Sequence, residues 1–285
     1  DSKLQKLVDL LELRSSGEHC FLGQSEDLGW GTLYGGHLLA QAVMAAGQTV
    51  ENRRLPHSLH AYFIRPGAVT EAIKYAVKSV RDGGHYTTRE VLASQSHGDV
   101  LKMMLSCHLP EASIEHQVAM PPVPSPHELI SDQAHLKELV GDVPPKYRTL
   151  LDQDRAFETR SVEPQNPFRP TVRPGRRQVW YRAKDTLPAD PWLHSALLVY
   201  ISDFNVLTTA LMPHGMSWPT PGVMMTSLDH SVWLHRPFRC DDWLLHDIEA
   251  TTTADGRGFV RGQFFDQSGQ LVASIAQEGM IRYPV

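Results

Sequence analysis

Three polar side chains stand within or at the ends of apolar stretches in the second half of this 285-residue chain. Asp203 follows Val199-Tyr200-Ile201-Ser202, at or just beyond the end of an apolar helix. Ser227 closes Met224-Met225-Thr226-Ser227, just ahead of Asp229-His230. Gln277 ends an apolar strand at Ala276-Gln277-Glu278-Gly279. A carboxylate among apolar neighbours costs free energy unless it is hydrogen-bonded or paired. Each residue also has an ordinary role: a cap or turn for Asp203, a backbone-bonded hydroxyl for Ser227, a sheet-edge amide for Gln277. Read as chemistry, they offer a general base, a hydroxyl that orients a water, and an amide that both donates and accepts.

Other chemistries lack their residues. The nearest approach to a Gly-x-Ser-x-Gly elbow is Gly215-Met216-Ser217-Trp218-Pro219, without the second glycine. There is no P-loop and no His-Glu-x-x-His, and Gly256-Arg257-Gly258 lacks the third glycine of a dinucleotide fingerprint. His57 and His60 are three apart, and His230 and His235 five apart. On a strand, odd spacing sends side chains to opposite faces, so no metal site is expected. Cys20, Cys107 and Cys240 are too few and too scattered for a disulfide framework, which suits a reducing cytosol. The net charge of −5 argues against a general nucleic-acid or anionic-membrane binder. The most apolar run, Trp192–Met212, carries His194, Asp203 and Asn205, so no membrane insertion is expected. Asp1-Ser2-Lys3-Leu4 shows no signal-peptide pattern, and the chain does not end in Ser-Lys-Leu. The expected location is cytoplasmic.

The elements that would position these residues come in two sets. Eleven of the 20 prolines fall between Pro110 and Pro174, and proline excludes a central strand. Residues 116–175 therefore read as a surface connector, with short helices expected at His127–Val140 and Lys146–Phe157. It separates an N-terminal part, 1–115, from a C-terminal part, 176–285. The parts echo each other at an offset of 171: Ser58-Leu59-His60-Ala61-Tyr62-Phe63-Ile64-Arg65-Pro66 against Asp229-His230-Ser231-Val232-Trp233-Leu234-His235-Arg236-Pro237, and His97-Gly98-Asp99-Val100-Leu101 against Ser268-Gly269-Gln270-Leu271-Val272. The glycine sites read as hairpin turns between strands. Each part also has an apolar helix ahead of its strands, one opening at Gly35-Gly36 and one after Asp190-Pro191. The fold class is α+β: two antiparallel sheets, each wrapped around a buried helix, a double hot-dog.

Together with Tyr34-Gly35-Gly36-His37, the His57–Gly67 segment and Arg257-Gly258-Phe259-Val260-Arg261-Gly262, these motifs resemble the acyl-CoA thioesterase II family, over nearly the whole chain. The resemblance implies hydrolysis of fatty acyl-CoA to free acid and CoA. It implies that Asp203, Ser227 and Gln277 position the attacking water, with no cofactor and no covalent acyl-enzyme. Thr226 is the neighbour that a one-residue shift would select instead of Ser227. Backbone amides at Gly35 and Gly36 would serve as an oxyanion hole. His57 matches a family histidine, and Arg65, Arg236, Arg257 and Arg261 are candidates for the CoA phosphates. The Met224-Met225 strand would line an acyl slot. A homo-oligomer, dimer or tetramer, is expected by the same resemblance. Two alternatives stand beside it: a non-catalytic acyl-CoA-binding protein, and a hot-dog enoyl-CoA hydratase, whose Gly-Asp-x-Asn-Pro-x-x-His pattern is absent.

Overall fold

Residues 35–47 combine alanine and leucine with no β-branched run, and residues 191–202 follow a proline at the first helical position. Both favour helix. A computed structural model describes residues 2–29, 31–51 and 53–283. Asp1 and Pro284–Val285, which end the first and last segments of the sequence reading, lie outside the described residues.

The first half runs α1 (Lys3–Leu11), β1 (Arg14–Gly17), β2 (Cys20–Gly23), α2 (Gly35–Gly47), β3 (Leu55–Phe63), β4 (Ile73–Asp82), β5 (Tyr86–Gln95) and β6 (Gly98–His108). The connector follows with α3 (Asp132–Glu138) and β7 (Phe157–Ser161). The second half then begins with β8 (Arg176–Ala183), α4 (Pro191–Ser202), α5 (Val206–Thr209) and β9 (Met224–Ser227). It closes with β10 (Asp229–Leu234), β11 (Leu244–Ala254), β12 (Arg257–Asp266) and β13 (Leu271–Arg282).

The strands form one antiparallel sheet in the order β1-β2-β4-β5-β6-β3-β10-β13-β12-β11-β8-β7, with β9 added beside β13. The order reads the same from either end: β3 answers to β10, β6 to β13, β5 to β12 and β4 to β11. The 171-residue offset carries Tyr86–Gln95 onto Arg257–Asp266. The halves join where β3 pairs with β10, centred on His60 opposite Ser231. These two are themselves related by the repeat, so a pseudo-twofold axis passes through the pair. His60 Nδ1 lies 3.0 Å from Ser231 Oγ across it.

Each half curls over a buried helix. α2 packs on β4, β5 and β6, α5 packs on β11, β12 and β13, and α2 and α4 pack on each other. Both long helices are apolar nearly all round, and Leu39, Ala40, Leu197 and Leu198 are fully buried. Each such leucine contributes about 1.5–3 kcal/mol of burial. Pro191–His214 is apolar enough by composition to cross a membrane, yet 78% of its most apolar window is buried inside the protein. Here that composition serves the core.

The connector differs from its sequence reading in two places. The first expected helix shortens to Asp132–Glu138, after a separate 3-10 turn at Pro126–Glu128. The second is a 3-10 turn at Pro145–Leu151, and Phe157 opens edge strand β7 instead of ending a helix. Paired prolines 144 and 145 start that turn, but the sequence after Asp152 has no helical stripe to extend it. Tertiary pairing with β8 takes over. The connector also covers the outer face of the second half. Met120, Val123, Leu129 and Val162 pack on Trp180, Trp243, Leu245 and Phe265, and Trp180 Nε1 donates to Pro124 O at 3.1 Å.

Candidate active site

The N-terminus of α2 has no side-chain cap of its own, since Tyr34 occupies the capping position. Its first amides need acceptors. One comes from the other half: Gly36 N–H donates to Asp203 Oδ2 at 3.0 Å. Negative charge is favoured there by the helix dipole.

Asp203 is held in place by the way α4 ends. It is the C-terminal cap residue of α4, and two residues on Asn205 turns left-handed at φ 63°, a conformation that asparagine tolerates. Asn205 Nδ2 donates to Tyr181 Oη at 3.0 Å. Tyr34 ties the two helix ends together. Its hydroxyl donates to Tyr200 O at 2.7 Å, and its ring stacks on Phe204 at 4.7 Å.

Gln277 is fully buried on β13. Its Nε2 donates to Asp203 Oδ1 at 3.1 Å and also to Ser227 Oγ. Ser227 reaches it because β9 pairs with β13, Ser227 opposite Gly279. Thr226 points the other way, to solvent. Asp203, Ser227 and Gln277, which are far apart in sequence, thus form one hydrogen-bonded set at the N-terminus of α2. Each Asp203 oxygen keeps acceptor capacity beyond the bond it makes. Ser227, accepting from Gln277, keeps its own proton to donate.

The two glycines are here for close approach. A Cβ on Gly35 would sit 2.8 Å from Asp203 Oδ2 and 2.9 Å from the Phe63 ring. One on Gly36 would collide with Tyr200 O. Only hydrogen fits at either position.

The other sequence candidates are elsewhere. His57 sits at the far end of β3 from Phe63. Its Nε2 is 2.7 Å from Ser106 Oγ, and burial pushes its pKa down, with His108 adding to the shift. Arg65 follows β3 on the Phe63 side and donates to His97 O at 2.6 Å. Arg257 bridges Asp255 at 2.9 Å and Glu278 at 3.2 Å. Arg261 bonds Glu249 at 2.7 Å, and Arg236 lies 3.7 Å from Glu115. Met224 is 55% exposed, while Met225 is half-buried. The histidine pairs point apart, His235 to Ser274 and His230 to Ser202.

Sequence reasoning passed over His230 and Ser202, both fully buried beside the set. In the sequence His230 is weighed only as half of a histidine pair with His235. The signal was present: Leu228, His230, Val232 and Leu234 alternate inward, so His230 occupies a core position. Burial lowers its pKa, against the opposing pull of Asp203.

Comparison with known proteins bears on the chain as a whole. A family model described as acyl-CoA thioesterase matches residues 147–280, and one for the acyl-CoA thioesterase N-terminal domain matches 25–108. The chain is 36% identical to acyl-CoA thioesterase 2 of Haemophilus influenzae over 280 residues, 98% of each chain. It is 33% identical to human acyl-coenzyme A thioesterase 8, covering 97% of this chain and 88% of the other. An acyl-CoA thioesterase II structure from Mycobacterium marinum superposes with a TM-score of 0.78 at 31% identity, covering 98% of each chain. With the double hot-dog fold, this similarity over both halves makes the chain a member of the acyl-CoA thioesterase II family.

Proposed function

We propose that this chain hydrolyses fatty acyl-CoA by direct attack of water, with Asp203 as general base and Ser227 and Gln277 holding the water against it. The observation that carries this reading is the convergence of Asp203, Ser227 and Gln277 on the α2 N-terminus. Water is a poor nucleophile, with a pKa of about 15.7. Asp203 takes one water proton as the oxygen bonds to the thioester carbon. The tetrahedral intermediate collapses by breaking the C–S bond, and the CoA sulfur receives the proton from Asp203. Atoms balance without a cofactor, and no acyl-enzyme forms.

Of the two amides expected at the oxyanion, Gly36 already serves Asp203. Gly35 N–H is then the donor for the oxyanion, aided by the helix dipole. Among the four candidate arginines, Arg65 is the one without a carboxylate partner among the described residues. It is our choice for the CoA phosphates, with Arg257 secondary because Asp255 and Glu278 already neutralise it.

Free-thiol release from acyl-CoAs of graded length tests the function, with wild type beside Asp203→Asn. Release by wild type and its loss in the variant support the mechanism. No release from a folded protein that binds acyl-CoA would replace it with the binding-protein reading. We also assign the chain to the cytoplasm and to a homo-oligomer. The exposed Tyr62 and Met104 on the outer face of β3 and β6 support the oligomer. Light scattering after size exclusion checks it; a monomer at micromolar concentration would overturn it.

A further inference from the structure

His230 and Gln277 sit on neighbouring strands, β10 and β13, one step along the register from Ser231 opposite Ala276. Both side chains are fully buried, and they interact directly. Each carries one buried polar atom without a hydrogen-bond partner among the described residues: Nδ1 of His230 and Oε1 of Gln277. A buried polar atom left without a partner pays its desolvation cost with nothing to offset it.

The orientation of the Gln277 amide is fixed by its other neighbours. A carboxylate accepts and never donates. The amide nitrogen must therefore face Asp203 and Ser227, as it does. Oε1 is turned away, towards the imidazole. The far side of the ring offers two arrangements. Ser202 Oγ lies 2.8 Å from His230 Nε2 and 2.8 Å from Val199 O, and its single hydrogen serves one of them. If it serves Val199 O, Nε2 carries the ring proton and Nδ1 presents a lone pair to the Gln277 oxygen, which is repulsive. If it serves Nε2, Nδ1 carries the proton and donates to Oε1.

We infer that His230 is a positioning residue for the hydrolytic reaction: Ser202 holds it as the Nδ1–H tautomer, and Nδ1–H donates to Gln277 Oε1, locking the amide nitrogen onto Asp203 and Ser227. The inference rests on the proposed roles of Asp203, Ser227 and Gln277. Without the imidazole, Oε1 is left unpartnered and the amide is held only through its nitrogen. It can then tilt on Asp203 and Ser227 and displace the water-binding geometry. Misplacement of that order costs about 10²-fold in rate.

The experiment compares His230→Leu with His230→Asn, each alone and combined with Gln277→Ala. Asparagine keeps a donor near the Nδ1 position. His230→Leu is expected to lower kcat about 10²-fold with KM little changed, and His230→Asn to restore most of it. In the Gln277→Ala background His230→Leu should cost no further activity, because the two act as one unit. Equal losses in both backgrounds, or failure of asparagine to rescue, would overturn the inference. Nitrogen NMR of histidine-labelled wild type reads the tautomer directly, and a proton on Nε2 would overturn it even if the leucine variant fails to fold. The parent reading fails differently: wild type would release no thiol, or Asp203→Asn would retain full turnover, while the tautomer would be unaffected.

Discussion

The two halves share four long strands at a constant offset, but they place opposite charges on one helix. At the N-terminus of α2 stands Asp203, brought by the second half. Past its C-terminus, Arg89 of the first half donates to Thr49 Oγ1 and Thr49 O, both at 2.9 Å, and to Asp82 at 2.8 Å. Arg89 is 3% exposed. Both placements follow the helix dipole, negative charge at the start and positive at the end. The repeat sets Ser106 in the position of Gln277, Pro56 in that of Ser227 and Val260 in that of Arg89. Thus the architecture is duplicated and the proposed reactive set is not. One end of α2 carries that set, and the other is closed by a guanidinium.

The comparison breaks most sharply at Asp203. Asp203→Asn still offers an oxygen to Gly36 but removes the proposed base, so kcat should fall about 10²–10⁴-fold with the fold intact by circular dichroism. Gly35→Ala pushes a methyl against Asp203 and Phe63, and should cost about 10²-fold in kcat by displacing the carboxylate. At the other end, Arg89→Met should leave turnover unchanged and lower the stability by about 2–3 kcal/mol, read as a fall in the urea midpoint.

Acid should separate the halves as well. Burial lowers the pKa of His37 and His57 in the first half, and of His194, His230, His235 and His246 in the second. Unfolded histidine titrates at about 6.5. Below that pH the unfolded chain binds more protons than the folded one. Stability is therefore full above it and falls as pH drops towards the lowered folded values. Hydrogen exchange at pH 5.5 against 7.5 should show protection lost first in the second half; a first-half loss would contradict the assignment. Smallest of all, Ser106→Ala should leave kcat unchanged and cost about 1 kcal/mol of stability, since among the described residues its side chain bonds only His57.

Much of this was legible in the sequence because the strands repeat and the helices are apolar all round. Gly35 and Gly36 mark a close approach, but the acceptor that needs it lies 167 positions away. No local pattern announces a cap supplied by the other half. Phe157–Ser161 reads as no strand because its partner, not its own alternation, makes it one. His230 was hidden for a related reason. A histidine in a core register is visible, but its purpose depends on which strand faces it. The roles of Asp203, Ser227 and Gln277 came from resemblance, since each taken singly is an ordinary cap, hydroxyl or amide.

The junction of β3 with β10 has a consequence for the chain as a polymer. The main path of the sheet ends at β1 with four residues and at β7 with five, and short edges resist edge-to-edge association. A chain cut within the connector and separated would expose β3 as a nine-residue edge, with its unpaired amides and carbonyls available to any strand. The natural complement of that edge is β10, and the site needs α2 from one piece and α4 from the other. The two fragments would therefore assemble by completing each other's sheet, and hydrolysis would return only in the pair.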